Sequence, residues 1–103
     1  LIVHKMCHGP AICFQIKNRG FIKEGYWADL VVVDLNSPWK VSDTNLVSKC
    51  QWSPFKEHTF RSKIRQTFVN GHRVYFNPNQ GDELGSFDES KRGMRMIFDR
   101  QAL

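Results

Sequence analysis

The stretch FRSKIRQTFVNGHRVYF, residues 60–76, restricts the fold of this chain more than any other. Its first half alternates between two faces, Phe60, Ser62, Ile64, Gln66 and Phe68 on one and Arg61, Lys63, Arg65, Thr67 and Val69 on the other. This period of two is typical of a β-strand. Asn70-Gly71 provides the two residues that a type I′ turn requires, because both must take positive φ. The pattern predicts a hairpin whose basic side chains form one solvated face.

A second strand is predicted at ADLVVVDL, residues 28–35. It is rich in β-branched residues and lies between Gly25 and Asn36-Ser37-Pro38. Its continuous apolar run predicts burial on both faces. PWKV, residues 38–41, predicts a brief strand, and SDTNLVSK, residues 42–49, one capped helical turn. From residue 77 to 93 the composition is polar and typical of loops, and MRMIFD, residues 94–99, predicts a last strand.

The N-terminal residues favour helix. Leu1 to about His8 follow the spacing of one helical face. Gly9 and Pro10 are expected to interrupt this helix and to begin a second short one, PAICFQI, because glycine allows a bend and proline suits a first helical turn. The sequence does not begin with Met, and Leu1 has no preceding cap. We therefore expect the tail of a longer protein.

Length and composition allow one domain or a piece of one: 103 residues, a net charge of +5 and a pI near 9.4. A net charge of this sign raises nucleic acid as a possible partner, but we favour a mildly basic soluble protein, because net charge alone is weak evidence. Three cysteines without framework spacing argue against a disulfide-stapled secreted domain. No signal peptide is visible, and the apolar run from Leu30 to Val33 is too short for a membrane span. These features favour the cytoplasm.

His4, Cys7 and His8 invite a metal-site interpretation, since two histidines four residues apart share one helical face. The zinc-protease helix, however, needs a glutamate beside its first histidine, and Lys5 occupies that place. A catalytic zinc also needs a third protein ligand, which neither His58 nor His72 has a visible reason to supply. We expect a partly buried helix rather than a ligand pair.

Other chemical constellations are incomplete. Cys7 and Cys13 match no common zinc spacing, and Cys7 lacks an orienting group for nucleophilic catalysis. The carboxylates are scattered, and Asp29 is expected to accept hydrogen bonds from local backbone N–H groups. The aromatic residues admit two interpretations, a base-stacking platform or the core of a small sheet: Trp39, Trp52, Phe55, Phe60, Phe68, Tyr75 and Phe76. From the residues alone, the chain is an α+β fragment without a complete active site.

The order of these pieces resembles the C-terminal passage of the cyclic amidohydrolases. That superfamily has a helix ending in an NPA-like motif, followed by G-x-I-x-x-G-x-x-A-D-L-v-v-x-D. Gly9-Pro10-Ala11 resembles the first motif, with Gly9 where Asn is common. The second is matched by Gly20, Ile22, Gly25, Ala28, Asp29, Leu30 and Asp34.

The continuation is similar to the dihydroorotase and allantoinase branch, in which SPF precedes a strand ending T-x-V-x-G-x-x-v-y. The matching residues are Ser53, Pro54, Phe55, Thr67, Val69, Gly71, Val74 and Tyr75. Glu57 stands where a glycine usually follows SPF. Trp39 and the spacing from it to SPF favour dihydroorotase, with allantoinase and hydantoinase types as alternatives.

The resemblance implies a (β/α)8 barrel with a small β-sandwich built from both chain ends. This chain would supply the last barrel helix region (1–19), the C-terminal strands of the sandwich (20–80) and a polar tail with a last strand (81–103). The parent would use zinc to interconvert N-carbamoyl-L-aspartate and dihydroorotate in pyrimidine biosynthesis.

In the family, the metal ligands and the residues that read the substrate lie on barrel strands upstream of the passage that this chain resembles. The resemblance therefore assigns no catalytic, substrate-binding or metal-binding residue to residues 1–103, and no bound cofactor. Its implied partner is the missing N-terminal barrel, with neither nucleic acid nor membrane. Without that barrel we expect an inactive fragment that self-associates or has a disordered first helix.

Overall fold

The computed structural model describes residues 1–99 as a small α+β unit. Helix α1 has a π-helical part, His4–His8, and an α-helical part, Gly9–Cys13. Six strands follow: β1 Leu30–Asp34, β2 Trp39–Lys40, β3 Thr59–Phe60, β4 Lys63–Val69, β5 His72–Phe76 and β6 Ser86–Phe87. One antiparallel sheet has the order β1-β4-β5-β6, and β2 pairs with β3 in a second.

Helix α1 passes through Gly9 and Pro10 without the expected interruption. Gly9 is helical, with φ −57° and ψ −54°, and its N–H bonds to the carbonyl of His4, five residues back. Pro10 then lies in the first turn of the α-helical part, a position that the fixed φ of proline suits. The π-helical register therefore carries the chain into this turn, and the prediction of two separate helices is wrong.

The hairpin prediction is confirmed. Asn70 and Gly71 have φ values of 51° and 78°, and Val69 pairs with His72 across the turn. A β-bulge between Thr67 and Phe68 then shifts the register of the two strands. The strands at Leu30–Asp34 and Trp39–Lys40 are also found where the sequence predicts them.

The expected burial of β1 on both faces is wrong for this structure. Val31, Val32 and Val33 are 55%, 43% and 46% exposed. The strand lies at the sheet edge and pairs with β4 alone among residues 1–99. Its apolar side chains thus form part of an uncovered surface.

Two further predictions differ from the structure. Residues 42–49 form turns rather than a helical turn, because the Asn45 side chain accepts the Ser42 N–H (2.9 Å) and donates to the Lys40 carbonyl (2.7 Å). In place of a last strand at 94–99, the described residues form one isolated bridge between Ile16 and Phe98. The two-residue strand β6 was not predicted. Residues 100–103 of the predicted tail lie outside the described residues, and the division at 19 and 80 stays a prediction.

The loop after α1 is packed against the helix at Gly20. This residue has φ +86°, and a Cβ there would approach the Ala11 Cβ to 2.5 Å and the Cys7 carbonyl oxygen to 2.7 Å. Only glycine combines the left-handed backbone with so close an approach. The first glycine of the G-x-I-x-x-G motif is therefore the residue that seats this loop on the helix.

Candidate functional site

The residues that first suggested a metal site do not converge. His4 and Cys7 are exposed, while the His8 ring stacks on Phe21 with centroids 4.2 Å apart and planes 3° apart. Across residues 1–99, no three His, Cys, Asp or Glu side chains are placed to hold a metal ion. The described residues thus do not fit the zinc that the resemblance implies.

The three cysteines are exposed and form no disulfide. The hydroxyl of Ser48, 3.6 Å from the Cys50 sulfur, lowers the pKa of that thiol. No pair of a nucleophile and a positioned base is formed within residues 1–99 by Cys7, Cys13 or Cys50. We assign no catalytic role to these thiols.

Asp29 forms a long-range contact rather than the local one expected. One carboxylate oxygen accepts the N–H of Asn70 at 2.7 Å, and the other pairs with the Arg19 guanidinium. Arg19 also donates to the Met94 carbonyl at 2.8 Å and lies over the Trp27 ring. The carboxylate therefore ties the hairpin turn to the loop that follows α1.

The most densely bonded polar group is a cluster that we term the carbonyl clamp, made of Lys63 and Arg65 with the main-chain carbonyls of Asn77, Asn79 and Gly81. The Lys63 ammonium donates to the Asn79 and Gly81 carbonyls at 3.0 and 2.5 Å. Arg65 donates to the Asn77 and Asn79 carbonyls at 3.1 and 2.5 Å. Charge-assisted bonds of this kind are about twice as strong as neutral ones.

The clamp overturns the predicted solvated face of β4. Lys63 is only 4% exposed and Arg65 is half-buried, while Arg61 alone of the three basic residues is exposed. The reason is that residues 77–84 fold over the strand and offer carbonyl oxygens to both cations. Burying a charge is tolerable when hydrogen-bond partners replace the lost water.

Arg65 also joins β4 to the turn after β1. Its guanidinium donates to the Ser37 hydroxyl at 2.9 Å and lies 3.3 Å from a carboxylate oxygen of Asp34. The pKa of Asp34 is held below its usual value, first by the Asn36 N–H bonded to the carboxylate and then by Arg65. The ionised carboxylate is thus the form that this site stabilises.

The aromatic residues divide into packing groups. Trp39, Phe55 and His58 surround Phe60, with centroids 5.5, 5.7 and 4.6 Å from its ring. The Trp39 indole N–H donates to the Ser62 carbonyl at 2.9 Å. Because these rings pack on one another, the core interpretation fits this group better than the base-stacking one.

One face of the main sheet forms an open groove of about 930 Å³, lined by Val33, Phe60, Ile64, Val74, Leu84 and Phe87 among others. The accessible surface of this groove is mainly apolar. The structure therefore offers packing and hydrogen bonding, not a set of reacting groups.

His72 and Asp88 form a second contact that sequence reasoning missed. The His72 ring nitrogen Nε2 lies 3.2 Å from a carboxylate oxygen of Asp88. Hydrogen bonds from Ser90 lower the pKa of Asp88, with a smaller contribution from His72. Neither this pair nor the carbonyl clamp has a local motif, and the loop composition NPNQGD at residues 77–82 was the only signal near them.

The structure contains, over residues 1–99, no helix of the length and apolar character that a membrane span requires.

The sequence of this chain is similar to that of several known proteins, including three dihydroorotases. Dihydroorotase from Pyrococcus horikoshii is 38% identical over 73 residues, which cover 71% of this chain and 17% of that protein. The Clostridioides difficile dihydroorotase is 38% identical over 74 residues (72% of this chain, 17% of that protein). The Ehrlichia canis dihydroorotase is 39% identical over 70 residues (68% and 15%). The chain spans about one sixth of the length of these curated relatives.

The amidohydrolase family itself matches residues 1–74. This range includes α1, the glycine-containing loop, β1 and most of the hairpin, so the match covers the ordered series of elements and not an isolated motif. The chain belongs to the amidohydrolase family.

Proposed function

We propose that this chain is the C-terminal segment of a dihydroorotase-like hydrolase. The observation that carries the proposal is the similarity of about seven-tenths of the chain to a short part of proteins named dihydroorotase. The parent reaction is the reversible cyclisation of N-carbamoyl-L-aspartate to dihydroorotate. In the hydrolytic direction, water adds across the ring C–N bond, with the hydroxyl going to the carbonyl carbon and a proton to the nitrogen.

The catalytic groups of that reaction would come from outside residues 1–99. The parent would hold zinc to activate water, but the described residues do not fit a zinc site. We therefore route no catalytic step through this chain. The segment alone would be inactive, and stoichiometric zinc binding or hydrolysis of dihydroorotate by the purified chain would contradict this.

The role of the chain in the parent would be structural. Helix α1 and the three residues before it expose apolar side chains, namely Leu1, Ile2, Val3 and Met6, and β1 exposes three valines. These surfaces support an arrangement in which α1 is the last helix of a (β/α)8 barrel and the sheet is half of a β-sandwich. The remaining part of the protein would cover both, in a cytoplasmic enzyme of pyrimidine biosynthesis.

The alternative of a small basic binding module rests on the net charge of +5. The carbonyl clamp weakens it, because Lys63 and Arg65 of the densest basic cluster are bonded to the chain itself. Such a module would bind a single-stranded oligonucleotide with an affinity that falls steeply with salt. Absent or salt-insensitive binding would dismiss it.

The test of the proposal is the reading frame upstream of the codon for Leu1. We expect an in-frame barrel with an H-x-H near its start and a lysine and two histidines further on. The encoded full-length protein should then hydrolyse dihydroorotate in preference to allantoin and hydantoin. Preference for allantoin or hydantoin would move the chain to the other branch, and an unrelated upstream domain would contradict the hydrolase proposal.

A further inference from the structure

The residues that follow the family match turn back across the molecule. The match ends at residue 74, within β5, yet residues 77–99 contact β4 and β2, then β5, and finally the loop after α1. We infer that residues 77–99 act as a strap that fastens the end of α1 to the main sheet, so that releasing either end loosens the other. This inference does not depend on the proposed function.

The first attachment is the carbonyl clamp. Lys63 and Arg65 hold the carbonyls of residues 77–81, as described above. Asn77, which is 3% exposed, donates through its side chain to the Glu83 carbonyl at 3.0 Å. The clamp thus holds the beginning of the strap on β4 through charge-assisted bonds.

The second attachment is the pairing of β6 with β5. Gly85 donates its N–H to the Tyr75 hydroxyl at 3.0 Å, and Asp88 donates its N–H to the Val74 carbonyl at 2.8 Å. A Cβ at Gly85 would overlap the carbonyl oxygen of Phe76. The strap therefore passes so close to β5 that only glycine fits at this position.

The third attachment joins the strap to the residues directly after α1. Lys17 donates its N–H to the Ile97 carbonyl, and Asp99 donates its N–H to the Gln15 carbonyl, both at 2.8 Å. Arg19 donates to the Met94 carbonyl at 2.8 Å. One continuous segment is thus bonded to the sheet at its start and to the end of the helix at its finish.

Two glycines of the strap provide a matched pair of variants. Gly85→Ala introduces a methyl group against β5, whereas a Cβ at Gly81 has open space within 4 Å. Residue-resolved amide hydrogen exchange on the full 103-residue chain would report both ends of the strap, through the Asp88 and Lys17 amides. The Gly71 amide, bonded to the Ala28 carbonyl at 2.9 Å, reports whether the fold is intact, because this bond lies outside residues 77–99.

With Gly85→Ala we expect exchange at both Asp88 and Lys17 to rise by about tenfold, while the Gly71 amide stays protected. Gly81→Ala should change both rates by less than about twofold. The inference is overturned if exchange rises at Asp88 alone or at neither amide in Gly85→Ala. It is also overturned if Gly81→Ala raises exchange by the same factor.

A second variant is needed if exchange at the Gly71 amide also rises in Gly85→Ala, because the whole fold would then be affected. Asp99→Pro removes the N–H that bonds to Gln15 at the opposite end of the strap. Because coupling between two sites is reciprocal, exchange at Asp88 should rise when this end is released. Unchanged exchange at Asp88 in this variant would show that the two ends are independent and would overturn the inference.

Discussion

Helix α1 exposes large apolar side chains, whereas the part of the main sheet at the carbonyl clamp buries polar ones. In α1 the large apolar side chains face outward, and Met6 is 73% exposed. In the sheet and directly after β5, the most buried residues include a lysine and an asparagine, Lys63 and Asn77, each bonded to main-chain carbonyls. Burial in the sheet thus follows the supply of hydrogen-bond partners, which residues 77–84 provide.

This difference shows which side chains have their packing or hydrogen-bond partners within the described residues. The polar interior of the sheet has its partners inside residues 1–99, so that part is held by contacts of its own. The apolar faces of α1 and β1 have no comparable cover there. Because unburied apolar surface contributes nothing to stability, these faces are the places where the rest of a larger protein would add stability.

The largest expected effect is at the clamp. Arg65→Met removes the donor to the Asn77 carbonyl and one of the two donors to the Asn79 carbonyl, together with the bond to Ser37, and we expect a loss of about 4 kcal/mol in the free energy of unfolding. Urea titration measures it. Arg61→Met is the control, because Arg61 is exposed on the same stretch of chain and should change stability by less than about 0.5 kcal/mol. Equal losses in both variants would mean that the clamp adds nothing.

Next is the contact between the loop and α1. Gly20 and Gly25 both have positive φ, +86° and +85°, but only Gly20 lies against the helix. Alanine should cost about 1 kcal/mol at Gly25 through backbone strain alone. At Gly20 it should cost about 2 kcal/mol more, because the loop must also move away from Ala11 and Cys7. Thermal unfolding of the two variants gives the difference, and equal midpoints would exclude a tight contact.

Acidification should weaken the sheet through Asp34. The pKa of this carboxyl is lowered in the folded chain, so its contribution is present above the ordinary value of about 4 and is lost as the pH falls through the lowered pKa. Asp34→Asn should therefore reduce the dependence of stability on pH below about pH 4. Unfolding midpoints measured from pH 5 to pH 2 would check this, and an unchanged acid slope would show that Asp34 contributes nothing.

The smallest effect is expected on the helix. Met6→Ser should change the free energy of unfolding of the isolated chain by less than about 0.5 kcal/mol, because the side chain is already in water. The same change should reduce self-association, since it removes part of the exposed apolar surface. Light scattering against concentration measures the second quantity. A large loss of stability would mean that Met6 is packed within the chain.

Local chemistry made part of this fold predictable. The turn at Asn70-Gly71 follows from the positive φ that both residues tolerate, and β1 follows from a run of β-branched residues between turn signals. The glycines at 20 and 25 also lie where the motif places them, and both have positive φ. In each case the sequence signal and its structural cause lie within a few residues of each other.

Most of the wrong predictions concern residues whose structure is determined by contacts with residues far away in the sequence. Lys63 and Arg65 have the spacing of a solvated face, but residues 77–81 provide carbonyls that no local pattern announces. Asp29 accepts the N–H of Asn70, 41 residues later, and not a neighbouring one. The helix continues through Gly9-Pro10 because the π-helical turn accommodates the proline, which a propensity argument does not foresee.

The most direct test of the account measures the oxidation of Met6 by hydroxyl radicals in two proteins. One is this chain alone. The other is a chimera in which the aligned part of this chain replaces the corresponding 73 residues of the Pyrococcus horikoshii dihydroorotase, with hydrolysis of dihydroorotate as proof that the chimera is folded. If α1 is an interior surface of a larger amidohydrolase, Met6 should be oxidised at least about tenfold more slowly in the active chimera. Equal rates of Met6 oxidation in the two proteins would contradict the claim that α1 is an interior surface of a larger protein.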